Sequence, residues 1–75
     1  MNKGMLWYDN NTKLNIEKRV LKAVEFFIEK YGYPPQCCFV NPDMTDEPME
    51  IKNNIKIVPS ERILKDHIWL EMAQE

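Results

Sequence analysis

Residues 13–35 read KLNIEKRVLKAVEFFIEKYGYPP, and the reading of this stretch decides the fold. Ile16, Val20, Ala23, Val24, Phe27 and Tyr31 fall on one stripe at helical spacing, and Leu21 and Ile28 widen one edge of it. Lys18, Lys22, Glu25 and Glu29 lie on the opposite side. No glutamate stands four residues ahead of a lysine, so surface charge adds little to the helix. Gly32 supplies a left-handed cap, and Pro34-Pro35 bars continuation. The spacing predicts one helix over 13–31, started by Asn11 or Thr12 and about 28 Å long.

Outward from this helix lie two short apolar runs, Met5-Leu6-Trp7-Tyr8 before it and Cys37-Cys38-Phe39-Val40 after it; a third, Ile68-Trp69-Leu70, lies near the C-terminus. A strand wetted on one face alternates apolar and polar residues, whereas an unbroken run reads as a strand whose two faces both want cover. One helix packs on only one face of a sheet. The expectation is therefore a second face that needs a partner. Strand, helix and strand form a crossover unit, with the two strands parallel if they share a sheet.

Further along, Asp43 to Glu50 is an acidic loop, and a hairpin follows it. A two-residue turn at Asn53-Asn54 would set Ile51 opposite Lys56. A three-residue loop, Lys52-Asn53-Asn54, sets Ile51 opposite Ile55 and Met49 opposite Ile57, and places Asn54 at the left-handed position. The three-residue loop is the expectation. The tail has two readings. In one, a helix runs from Ser60 to about Ala73; in the other, favoured for its β-branched and aromatic residues, His67 to Met72 is a strand. In that strand Ile68, Leu70 and Met72 face one way and His67, Trp69 and Glu71 the other.

With 75 residues the chain is expected to form a single domain, 1–75, too short to be stable by a wide margin without help. A net charge of −2 offers no overall field for nucleic acid or an anionic membrane. No apolar stretch reaches membrane-spanning length, and the apolar run after Met1-Asn2-Lys3-Gly4 is too short for a signal peptide. Residues 1–4 read as a possible loose leader. Cys37 and Cys38 are adjacent, so on an extended chain they point apart and do not bridge; a reduced, cytoplasmic protein is expected.

Cys37, Cys38 and His67 are the only soft metal ligands, and structural zinc wants four with spaced cysteines. A thiol nucleophile would also need an orienting group and an oxyanion site. Asp43, Asp46, Glu47 and Glu50 lack the glycine and fixed alternation of a calcium loop. Hence no metal, no cofactor and no catalytic residue is expected. Lys13, Lys18, Arg19 and Lys22, downstream of Trp7 and Tyr8, are the candidate contacts for single-stranded nucleic acid, diluted by Glu17, Glu25 and Glu29. Trp7, Tyr8, Phe39 and Trp69 are the candidate interaction residues, because such rings bury large area with few rotors to freeze.

The segments Met5-Leu6-Trp7-Tyr8-Asp9-Asn10, Tyr31-Gly32-Tyr33-Pro34, Val40-Asn41-Pro42 and His67-Ile68-Trp69-Leu70 resemble those of a family of small uncharacterised bacterial proteins of unknown function. The resemblance implies a bacterial or phage-borne, free-standing protein and transfers no catalytic residue. The combined expectation is an α+β, two-layer domain: strand, long helix, strand, hairpin, and a final strand or helix. Its expected role is a non-enzymatic interaction module that self-associates, as a homodimer, or binds a protein partner through an apolar sheet face. Single-stranded nucleic-acid binding is the alternative, and a small metal or thiol site ranks behind it.

Overall fold

A computed structural model describes residues 3–72, in which one helix packs against a mixed sheet. In chain order the elements are β1 (Gly4–Tyr8), α1 (Ile16–Tyr31), β2 (Cys37–Val40), β3 (Met49–Ile51), β4 (Ile55–Pro59) and β5 (His67–Glu71). Gly4, read from sequence as part of a leader, is the first residue of β1, and the Lys3 carbonyl accepts from the Met72 amide at 2.9 Å.

The helix starts at Ile16, a turn later than expected, and its cap is Asn15 rather than Asn11 or Thr12. The Asn15 side chain accepts from the Lys18 amide at 2.9 Å. Upstream, Asp9 accepts from the Asn11 amide at 2.9 Å and Asn11 accepts from the Lys13 amide at 3.1 Å. These local side-chain bonds offer the backbone an alternative to helix until Asn15. The other end follows expectation: Gly32 takes φ 82° and donates to the Ile28 carbonyl at 2.7 Å.

Strand order is β1-β5-β2-β4-β3. Strand β5 lies between β1 and β2 and is antiparallel to both. The crossover strands β1 and β2 are thus parallel to one another without being neighbours; the neighbouring parallel pair is β2 and β4. The hairpin pairs Met49 with Ile57 and Ile51 with Ile55, the register that keeps apolar side chains together, with Asn53 and Asn54 both at positive φ. For the tail, the helical reading is overturned. Residues 60–66 form turns, in which the Ile63 amide donates to the Ser60 carbonyl at 3.1 Å, and β5 follows. The expected end of that helix, Ala73, lies outside the described residues.

Val20, Ala23, Val24 and Phe27 of α1 press on Cys38, Val40, Ile51, Ile55, Ile57, Ile68 and Leu70 of the sheet. Ridges of one helix fill one side of the strands and no more. The unbroken apolar runs are covered by α1 on alternate residues only, and, with one helix for one face, no described element lies over the other face.

Candidate functional site

Alternation along the strands fixes what the uncovered face presents. Met5, Trp7, Cys38, Val40, Ile57, Ile68 and Leu70 belong to the helix side. Leu6, Tyr8, Phe39, Val58, His67 and Trp69 belong to the other. Register aligns Leu6 with Trp69, Trp69 with Phe39, and Phe39 with Val58. One apolar side chain from each of β1, β5, β2 and β4 thus stands in a row, roughly 15 Å across at ordinary strand spacing.

Exposure along this row rises toward β1. Val58, Phe39 and Trp69 are half-buried by their neighbours, whereas Leu6 and Tyr8 are each 57% exposed. The Tyr8 ring sits 4.9 Å from that of His67, and His67 Nδ1 lies 2.7 Å from the Lys65 carbonyl, which calls for the proton on Nδ1. The Trp69 indole lies across Gly4. A Cβ there would meet the Trp69 ring at 2.7 Å and the Leu70 carbonyl oxygen at 2.5 Å, so only glycine fits. Trp69 Nε1 is buried without a hydrogen-bond partner among the described residues. At the far border, Glu50 opposes Lys56 and the face turns charged.

Tyr8, Phe39 and Trp69, three of the four candidate interaction residues, share this face. Trp7 does not. It lies on the helix side, where its ring stacks on Phe26 at 4.6 Å. Its placement among the open-face residues is corrected by its parity in β1, which pairs it with buried Ile68. Sequence reading passed over Leu6 and Val58, although each falls in phase with Trp69 and Phe39 once register is known.

Among the basic candidates, Lys13, Lys18 and Lys22 are exposed, but Arg19 is withdrawn from any surface role. It is 8% exposed; its Nε donates to the carbonyls of Asn11 at 2.9 Å and Leu14 at 3.2 Å, and Nη1 lies 3.5 Å from Asp66. Arg19 thereby ties the segment before α1 to the turn before β5. A pocket of about 320 Å³ opens beside it, lined by Leu14, Ile16, Arg19, Asp43, Met44, Lys65 and Asp66. Its charged groups already pair with one another, Lys65 with Asp43 at 3.0 Å and Arg19 with Asp66.

Cys37, Cys38 and His67 do not meet. Cys38 is in the core, while Cys37 is on the open face opposite Glu71, the end of β5 away from His67. Glu71 lies four residue steps along the strand from His67, about 13 Å. Burial pushes the Cys38 thiol up to about 12, with Cys37 adding to it. Burial, then the Glu71 carboxylate, raises Cys37 as well. Neither thiol is activated as a nucleophile. Among the described residues no three His, Cys, Asp or Glu side chains gather as a metal site, and no helix is long and apolar enough to cross a membrane. Comparison with protein-family models, curated proteins and solved structures finds no match to the chain.

Proposed function

We propose that this chain is a non-enzymatic protein-interaction module whose contact surface is the open sheet face with its β1 border, and that its first partner is a second copy of itself. The observation that carries the reading is the in-register row Leu6, Trp69, Phe39 and Val58, lying on the side of the sheet opposite α1. Apolar side chains that stay wet contribute nothing to folding, whereas association returns roughly 25 cal/mol per Å² of the area removed from water. Large rings with few rotors suit that use. The separation of Cys37 from His67 and the raised thiols favour a binding role over catalysis. A single-strand nucleic-acid role draws less support now that Arg19 is buried and internally bonded.

Light scattering on a size-exclusion column tests the proposal. The unaltered chain is expected to exceed its 9.0 kDa monomer mass at micromolar concentration. Tyr8→Lys, on the exposed border, is expected to return it to the monomer with its far-UV circular dichroism unchanged. A 9.0 kDa mass throughout that range contradicts self-association.

A further inference from the structure

Resting on the self-association reading, we propose that the second copy docks edge to edge through β1, antiparallel, about a twofold axis at Leu6. The direction of the main-chain groups leads there. The Lys3 carbonyl accepts from Met72 and the Asp9 amide donates to the Asp66 carbonyl at 2.8 Å, so residues 3 and 9 turn their backbone toward β5. By alternation Met5 and Trp7 do the same, while Gly4, Leu6 and Tyr8 turn their N–H and C=O groups outward. Strand β1 is an outer strand of the sheet and none of its five residues is charged. The other outer strand, β3, is guarded. It has three residues, follows Pro48 and carries Glu50 at its centre. Short length, proline and charge are the ordinary devices against edge pairing, and β1 has none of them.

The outward residues are spaced to match themselves. An axis at Leu6 sets Leu6 against its counterpart and Gly4 against the second copy's Tyr8, and every outward N–H and C=O within β1 then finds a partner. An axis at Met5 or Trp7 leaves one outward residue of each strand unmatched. Side chains agree with the Leu6 axis. The exposed Tyr8 ring meets the shelf made where the other copy's Trp69 lies over Gly4. On the helix side the exposed Lys3 stands across from Asp9, which is buried and whose Oδ2 has no partner among the described residues. The exposure gradient agrees too, since the wettest apolar residues of the open face, Leu6 and Tyr8, are those on this edge. Pairing would join the two open faces into one. A strand of about 17 Å makes a small interface, so the dimer is expected to depend on concentration.

Cross-linking tests the geometry. Hydrogen-bonded antiparallel pairs hold Cα atoms about 5.5 Å apart, within disulfide reach. In a Cys37→Ser background, Leu6→Cys is expected to oxidise to a covalent dimer, while Lys22→Cys on the exposed side of α1 stays unlinked. Leu6→Pro removes an outward N–H without touching the β1–β5 ladder, and its mass is expected to fall to 9.0 kDa while Phe39→Lys stays dimeric. Should Leu6→Pro fail to fold, the cross-link alone decides. An unaltered chain that dimerises while Leu6→Cys does not link, or a dimer lost in Phe39→Lys and kept in Leu6→Pro, overturns the edge geometry and leaves the interaction reading standing. A monomeric unaltered chain overturns both.

Discussion

The two faces of this sheet are cut from the same five strands and end in different conditions. On the helix side Cys38, Val40, Ile57, Ile68 and Leu70 are fully buried. On the other, in the same strands and one residue out of phase, Phe39 and Trp69 are half-buried, and Leu6 and Tyr8 are 57% exposed. The open face keeps an apolar row but also carries His67, Glu71, Lys56 and Glu50, so both its composition and the reach of a single helix separate it from the covered one. The covered face stabilises the fold, and the open one is the surface we propose for association.

The comparison breaks most severely at the centre of the covered face. Phe27 is wholly enclosed, and Phe27→Ala is expected to cost about 3–5 kcal/mol, most of the stability of so small a domain, read as a lost or sharply lowered thermal transition. Arg19 holds one end of that face together through the Asn11 and Leu14 carbonyls and Asp66. Arg19→Met is expected to lose about 2 kcal/mol in urea unfolding.

Alkaline pH weakens the covered face most. The folded Cys38 thiol holds its proton up to about 12, against an ordinary 9.0 when unfolded. Above 9.0 the unfolded chain binds fewer protons than the folded one, so stability falls as pH rises through this window and is level below it. The Cys38 slope is at most about 1.4 kcal/mol per pH unit, and Cys38→Ala is expected to remove the larger part of the alkaline loss from a series of urea melts, leaving the smaller share of Cys37. On the open face the expected cost is smallest. Phe39→Lys should change monomer stability by no more than about 1 kcal/mol.

The parts legible in the sequence are those set by local chemistry. The α1 stripe, the Gly32 cap and the hairpin register each follow from residues a few positions apart. Two features needed the whole chain. Insertion of β5 between β1 and β2 is long-range pairing, and unbroken apolar runs permit it without requiring it. Trp7 and Tyr8 are equally apolar, so only the β1–β5 register tells which of them lies under α1. Arg19 departs from what its sequence position suggests for a different reason. A charged side chain beside an apolar stripe reads as solvated, yet here it is buried against carbonyls that the turn before α1 leaves unpaired. The open face follows from the surplus of apolar residues over what one helix covers, but its membership depends on phase.

Proton–nitrogen correlation spectra recorded from micromolar to millimolar protein test most directly whether the β1 border of the open face is a contact surface. The expected result is concentration-dependent shifts at Leu6, Tyr8 and the Trp69 indole, with Val20, Ile57 and Ile68 unmoved. Spectra that stay those of a 9.0 kDa monomer at every concentration, or shifts centred on α1, contradict it.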